Sequence, residues 1–181
     1  DQRKVIYQQR NELLEAPQDI GETITAVRES ILSSLFNRHI PPDSIEEQWD
    51  IPGLEKELAS DYHLTVPVHE WIEKEDDLQT ENILERILEI AAQHYQQKSE
   101  LVGSHIIHQY ERALMLHSLD NHWREHLSAL DHLRQGIHLR GYAQKNPKQE
   151  YKREAFELFG NMLEEIKAEV TKILMTVQIK N

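Results

Sequence analysis

The residues with the clearest chemical potential lie between His122 and His126. His122-Trp-Arg-Glu125-His126 matches the H-x-x-E-H signature of a class of zinc peptidases. Two histidines four residues apart on a helix can bind one zinc ion while the glutamate acts as a base. The pattern is short, the chain has 11 histidines, and no third ligand stands out. A packing role is therefore favoured, with His126 beside an apolar seam and His122 facing solvent.

A pair of glycines, Gly136 and Gly141, has the spacing of a Walker A phosphate-binding loop. Such a loop needs Lys-Ser or Lys-Thr directly after the second glycine, to hold the terminal phosphates and magnesium. Tyr142 and Ala143 stand there instead, and the flanking sequence is helical on both sides. The pattern therefore excludes this kind of nucleotide site, and the glycines are interpreted as residues that permit a turn.

The stretch from Arg134 to Arg153 is basic in an acidic protein. It holds six Lys or Arg residues against one acid, whereas the formal net charge of the chain is −12. Bases with Tyr142 could bind RNA through phosphate contacts and stacking, but the patch is small and nucleic acid is not favoured. A solvated turn is the simplest interpretation. Bases near a helix N-terminus oppose the helix dipole, however, so Lys148, Lys152 and Arg153 are also interpreted as a partner surface.

The negative charge is concentrated in one middle segment. Residues 43–100 hold 16 acids and 4 bases, while the rest of the chain holds 16 of each. Such a segment is well solvated and repels nucleic acid and anionic lipid. The simplest interpretation is a solubilising acidic face.

Composition limits the other classes of protein. Without cysteine the chain has no disulfides or thiolate metal sites, which is compatible with the cytosol. No run approaches the roughly 18 apolar residues of a transmembrane helix. The first residues lack the apolar core of a signal peptide. Any membrane contact is therefore expected to be peripheral or through a partner.

Helices are expected to position all of these residues. Charged residues and helix formers are abundant, whereas glycine and proline are few, which predicts an all-α fold of long helices. Asp19 and Thr80 are predicted N-caps, Ser44 is predicted to begin a capping box, and Gly103 is predicted to break a helix. Helical spacing and these signals predict helices over about residues 1–14, 20–40, 44–48, 52–58, 67–74, 80–102, 104–135 and 147–177. Trp49, Trp71 and Trp123 are expected to pack in the core.

The last two helices carry matching apolar stripes. The last one has steps of three and four, typical of a nearly antiparallel helix seam: Tyr151, Ala155, Phe159, Met162, Ile166, Val170, Ile173 and Val177. The helix before it has Leu116, Leu119, Trp123, Leu127, Leu130, Leu133 and Ile137. These stripes predict a C-terminal antiparallel hairpin whose tip covers about residues 136–147.

The first helix begins without a capping signal and is predicted to be the end of a longer helix. It is expected to share a core with the hairpin, which makes the acidic middle segment an insertion. Part of its apolar stripe, Val5, Ile6, Leu13 and Leu14, is expected to be exposed or to pair between copies.

Four stretches together resemble the SecA preprotein translocase ATPase family, in matching order and over essentially the whole chain. They are Arg3-Lys-Val-Ile-Tyr-Gln-Gln-Arg-Asn-Glu-Leu-Leu14, Ile40-Pro-Pro42 with Trp49-Asp-Ile-Pro-Gly-Leu54, Leu119-Asp-Asn-His-Trp-Arg-Glu-His-Leu127, and the long stretch from Leu133 to Arg153. His122 is not part of the family pattern, which further weakens the zinc interpretation.

The resemblance implies a helical scaffold domain at residues 1–16 and 104–181, split by a helical wing domain at 17–103. The hairpin corresponds to the family's two-helix finger. The motor domains with their ATP and magnesium, the preprotein-crosslinking domain and a zinc-binding tail fall outside this match. The resemblance therefore implies an excised part with no catalytic residues, metal or cofactor of its own.

The resemblance also implies a role for the finger tip. In the family the finger enters the cytoplasmic mouth of the SecYEG channel and contacts the translocating preprotein, while the hairpin region restrains the motor. Tyr142 matches the aromatic residue that pushes the chain. The other implied contact residues are Leu139, Arg140, Gly141, Gln144 and Lys145. The expected location is the cytoplasm, peripheral to the inner membrane.

Overall fold

The chain is helical, as predicted. The computed structural model describes residues 1–15, 20–140 and 146–179, with only the backbone of His138 and Arg140. This part of the chain contains no strand. Its elements are α1 (Gln2–Glu15), α2 (Ile20–His39), a 3₁₀ helix (Glu46–Gln48), α3 (Ile51–Tyr62), α4 (Val68–Lys74), α5 (Thr80–Val102), α6 (Ser104–Arg140) and α7 (Pro147–Thr176). The predicted all-α fold class is confirmed.

Within the described ranges, no helix combines the length and apolar character that a membrane span requires.

Contacts between Cα atoms divide the chain into two compact units. The first unit consists of Asp1–Gln18 and Arg112–Val170, and the second of Asp19–Glu111 and Thr171–Asn181. The long helices α6 and α7 therefore contribute to both units. The wing and scaffold limits at residues 17 and 103 stay a prediction, since they concern domains of the family and not contacts.

The core of the second unit is built on α2. Its predicted stripe is buried throughout, at Ile20, Ile24, Val27, Ile31 and Leu35. This helix packs against α3 and α5, and α3 packs against α4. Leu54 and Leu58 of α3 and Ile83 and Ile87 of α5 are completely buried. Each such side chain contributes about 2 kcal/mol of transfer free energy, which fixes the packing of these helices.

The short helix before α3 differs from the prediction. Ser44 caps no helix, because its hydroxyl donates to the carbonyl oxygen of Pro41 and accepts from Trp49 Nε1 at 3.0 Å. The residues after it form only the short 3₁₀ helix Glu46–Gln48. The next helix, α3, begins with Pro52 in its first turn, as predicted. Asp50 is its N-cap, and the Asp50 carboxylate accepts the Gly53 N–H at 3.1 Å.

Residues 64–68 have the alternating pattern of a strand but pair with no strand among the described residues. Leu64, Val66 and Val68 are buried and alternate with exposed residues. Pro67 carries no N–H to donate to a sheet, which is why the sequence predicted no paired strand here. The segment is extended, and α4 begins at Val68, so alternating burial here reflects packing alone.

Gly103 ends α5, as predicted. Its φ angle is +98° and its N–H donates to the carbonyl oxygen of Ser99. Side chains rarely tolerate this region, so glycine permits the break between α5 and α6. Gly136 differs from the prediction, because it lies inside α6 and not in a turn. A Cβ atom at Gly136 would meet nothing within 4 Å.

These two glycines predict opposite effects of the same substitution. Gly103→Ala should lower the free energy of unfolding by about 2 kcal/mol, because alanine would be strained at positive φ. Gly136→Ala should raise it by about 0.5–1 kcal/mol, because alanine loses less chain entropy in a helix. Urea unfolding of both variants checks this, and a loss of stability in Gly136→Ala would contradict the assignment of Gly136 to the helix.

The last helix keeps its predicted stripe only in part. Ala155, Met162, Ile166 and Val170 are buried, but burial then moves to Thr171, Leu174 and Met175, away from Ile173 and Val177. The shift coincides with the start of the second unit. There the Lys98 ammonium group of α5 donates to the carbonyl oxygens of Leu174 and Met175. A cation is favourable at a helix C-terminus, so this contact anchors the end of α7.

The tryptophans and the other two stripes are less buried than predicted. Trp49, Trp71 and Trp123 are all half-buried. Trp71 lies under the Arg86 guanidinium group, with Cζ 5.4 Å from the ring centroid. On α6 the stripe is fully buried only at Leu119 and Ile137, and on α1 only at Ile6. Helical spacing therefore identified these faces without fixing how deeply each residue is buried.

Candidate functional site

The predicted tip lies between the end of α6 and the start of α7. Leu139, in the last turn of α6, is 76% exposed. Four other predicted contact residues, Gly141, Tyr142, Gln144 and Lys145, lie outside the described residues, as does the side chain of Arg140. Their role as a contact site stays a prediction.

The start of α7 is fixed by local capping. Pro147 is the first residue of α7, as predicted. The side-chain oxygen of Asn146 accepts the Lys148 N–H at 3.0 Å. The backbone carbonyl oxygen of Asn146 accepts the Glu150 N–H at 3.1 Å. Asn146 is therefore the N-cap, a residue that the sequence analysis did not identify.

The three predicted basic residues of α7 have different surroundings. Lys148 and Lys152 are exposed. Arg153 is paired within its own helix, with Glu150 at 2.8 Å and Glu157 at 3.1 Å. The hydrogen bond to Glu150 raises the pKa of Arg153. These ion pairs give Arg153 an intrahelical role, and its role in a partner surface stays a prediction.

Within the first unit, α6 and α7 contact each other at intervals along their lengths. Ser118 donates to Glu169 at 2.5 Å, and the rings of His126 and Phe159 lie 5.7 Å apart. Nearer the tip, Arg134 Cζ lies 5.9 Å from the ring centroid of Tyr151. Residue numbers rise on α6 as they fall on α7, which is the order that antiparallel helices produce.

The structure separates the residues of the H-x-x-E-H pattern. His122 contacts Glu169 of α7 at 2.7 Å and Glu165 at 3.7 Å, so its predicted orientation toward solvent is wrong. Glu125 is exposed. Within the described residues, no group of three His, Asp or Glu side chains is placed to hold a metal ion. The pattern therefore reflects helix packing, and zinc catalysis is not favoured.

His126 joins three helices of the first unit. It is 5% exposed and its Nε2 atom lies 2.7 Å from Gln2 Oε1 of α1. Gln2 in turn donates to the carbonyl oxygen of Ala155 in α7 at 3.0 Å. Burial lowers the pKa of His126, so the neutral ring is the form that fits here. Packing beside an apolar seam, predicted from the sequence, is confirmed for His126.

Stability should therefore fall in mild acid. Because the pKa of His126 is lower in the folded chain, the unfolded chain binds more protons once the pH drops below about 6.5. The free energy of unfolding should decrease over that range. His94, whose pKa burial also lowers, adds to the effect. Glu169 has a lowered pKa and loses its contribution only in stronger acid, below the usual carboxyl pKa.

Urea unfolding at pH 7.5 and 5.5 checks this. The loss of stability between the two pH values should be smaller in His126→Gln than in the unaltered chain. The control is His132→Gln, because His132 is exposed. An equal loss in all three proteins would contradict the assignment.

The second unit contains a buried polar cluster that the sequence analysis missed. Glu111 of α6 is 2% exposed and accepts from Tyr95 Oη at 2.6 Å. Its other oxygen lies 2.7 Å from His108 Nδ1. Arg28 of α2 is also buried, with Cζ 5.4 Å from the Tyr95 ring centroid. Desolvation lowers the pKa of Arg28 and raises that of Tyr95. The cluster joins α5 to α6 through the hydrogen bond from Tyr95 to Glu111, and α2 to α5 through the contact of Arg28 with the Tyr95 ring.

The helical fold and the side-chain contacts together define a class of protein. The described residues form long paired helices and buried structural clusters. The three residues of the peptidase-like pattern have different surroundings: His122 contacts Glu169, His126 contacts Gln2, and Glu125 is exposed. These features define the class as an all-α protein built on long paired helices.

Comparison with known proteins identifies the family. The chain belongs to the SecA wing and scaffold domain family, whose model matches residues 1–178. It is 67% identical over 181 residues to a protein translocase subunit SecA of Nitrosomonas europaea, and 68% identical to SecA 1 of Nitrosospira multiformis. A SecA of Chromobacterium violaceum is 61% identical over 180 residues. The match covers 99–100% of this chain but 20% of each relative. The chain thus spans about a fifth of their length.

Proposed function

We propose that the chain is the part of a SecA-type translocase that contacts the SecYEG channel and the moving preprotein. The observation that carries this proposal is the family match over residues 1–178, together with relatives named as translocase subunits. The contact is made by the tip between α6 and α7.

The chemistry of the tip supports this role. A pushing element must contact any sequence, and the phenol of Tyr142 offers apolar surface with one hydrogen-bonding group. Leu139, three residues earlier in the chain, adds an exposed apolar side chain. Arg140, Gly141, Gln144 and Lys145 complete the contact surface, in which the glycine lets the tip deform.

The paired helices behind the tip support the transmission of force. Contacts from Ser118–Glu169 to Arg134–Tyr151 brace α6 against α7 along the first unit. A braced pair of helices bends less than a single helix, so movement of its base reaches the tip. The exposed Lys148 and Lys152 suit an acidic or phosphate-lined channel mouth.

The energy for this movement comes from motor domains outside this chain. Those domains bind ATP with magnesium, a further tail binds zinc, and the chain itself regulates the motor without catalysis of its own. The working location is the cytoplasmic side of the inner membrane, with peripheral attachment. A zinc hydrolase or a nucleic-acid-binding module remains the alternative from another class, and no contact of the described residues favours either.

Binding to vesicles tests this proposal. Vesicles that contain SecYEG should retain the purified chain, and vesicles of the same lipids without SecYEG should not. The chain alone should neither bind nor hydrolyse ATP, whereas the whole protein hydrolyses it. Equal retention by both kinds of vesicle, or ATP turnover by the purified chain, would contradict the proposal.

A further inference from the structure

An apolar groove lies on the first unit. It has a volume of about 630 Å³ and is formed by α1, α6 and α7. Its wall is largely aromatic and aliphatic, with Tyr7, Trp123, Leu127, Leu130, Tyr151 and Phe156.

The wall of this groove is unusually open to solvent. Phe156 is 76% exposed, Tyr7 48% and Leu127 45%. Single exposed apolar residues are common on proteins, but a cluster of large ones along one groove marks an interaction site. The volume is also within the range of about 300–1,000 Å³ that binding clefts occupy.

The rim of the groove is basic. Arg3 and Lys152 lie on it, and Lys152 makes no ion pair within the described residues. Asp1 is the one acid among the described residues that line the groove, and its carboxylate already accepts the Arg3 N–H at 3.1 Å. A bound partner would therefore be favoured by carboxylates.

The surroundings of the groove favour a helix as its occupant. The described residues contain no strand, so no sheet edge is available for an extended peptide to join. Three helices form the walls, and a fourth can place its apolar ridge between theirs. A nucleic acid would need more phosphate contacts than two cations provide.

We propose that this groove docks an amphipathic helix of a partner polypeptide that carries carboxylates beside its apolar face. Phe156 and Leu127 contact the apolar ridge, and Lys152 and Arg3 pair with the carboxylates. This surface shares Lys152 with the basic residues proposed to face the channel, and it adds a site of attachment at the side of the hairpin.

Binding of two synthetic peptides tests the proposal. One is a helix of Leu, Ala and Glu of about five turns, with Leu at helical spacing. The other has Lys in place of every Glu. Fluorescence anisotropy should show saturable binding of the Glu peptide to the 181-residue chain and much weaker binding of the Lys peptide.

Paired variants locate the site. Phe156→Ser should weaken binding of the Glu peptide by about tenfold or more, the effect of losing an interface anchor. Leu101→Ser, at a residue of α5 that is 71% exposed and lies outside the groove, should leave binding unchanged. Lys152→Glu should weaken the Glu peptide and strengthen the Lys peptide, whereas Lys4→Glu, also on the exposed surface, should change neither. Both groove variants are expected to fold, which circular dichroism checks.

Three results would overturn the proposal. They are the absence of saturable binding, equal affinity for the two peptides, and equal weakening by Phe156→Ser and Leu101→Ser. Self-association of the chain that Phe156→Ser abolishes would also overturn it, because the groove would then bind a second copy. The experiment uses no channel or motor, so its failure leaves the proposed tip contact untouched.

Discussion

Tyr142→Ala in the whole translocase is expected to reduce preprotein transport by about thirtyfold, because an aromatic anchor contributes about 2 kcal/mol to a contact. Basal ATP hydrolysis should stay near that of the unaltered protein, because Tyr142 lies in a tip predicted to touch the substrate and not the motor. Transport into SecYEG vesicles and ATP turnover in the absence of substrate measure the two effects.

Two comparisons make this prediction specific. Tyr142→Phe keeps the ring and should retain most of the transport, since the apolar surface is the larger part of the contact. An equal loss of transport and ATP hydrolysis in Tyr142→Ala would indicate misfolding. Transport by Tyr142→Ala at the rate of the unaltered protein would contradict the role of the tip.

Glu111→Ala is expected to lower the free energy of unfolding by about 2 kcal/mol, because it leaves the buried Tyr95 hydroxyl without an acceptor. His108 loses its contact with the same carboxylate. Urea unfolding measures the loss. Glu111→Gln should cost less, since its amide oxygen can still accept from the Tyr95 hydroxyl.

An exposed carboxylate provides the control for Glu111. Glu89→Ala, on the surface of α5, should change stability by no more than about 0.5 kcal/mol. A similarly small effect of Glu111→Ala would contradict the role of this carboxylate as the acceptor that the buried Tyr95 hydroxyl requires.

The helices of this fold follow closely from sequence patterns. The stripe of α2 from Ile20 to Leu35, the break at Gly103 and the start of α7 at Pro147 depend on spacing, φ preference and the missing proline N–H. These are properties of a residue and its near neighbours, so they can be read along the chain.

Long-range contacts could not be predicted in this way. Glu111 is one of 32 acids, and nothing in the neighbouring sequence indicates that its carboxylate would be buried, accept from Tyr95 and lie within the electrostatic reach of Arg28. The contact of His122 with Glu169 depends on how α6 and α7 are rotated about their axes. The sequence does not give this rotation, so it placed His122 in solvent. The apolar groove could not be predicted from the sequence, because its wall combines residues from three separate helices. The tip residues were predicted by resemblance to a family, and Tyr142 lies outside the described residues.

The most direct test of the proposed function is a crosslink from position 142. A photoreactive phenylalanine placed there in the whole protein, with a preprotein stalled in SecYEG, should crosslink to the stalled polypeptide. The same group at Glu164, on the exposed face of α7, should not. Crosslinking to the channel alone, or equal crosslinking from both positions, would contradict a tip that contacts the moving chain.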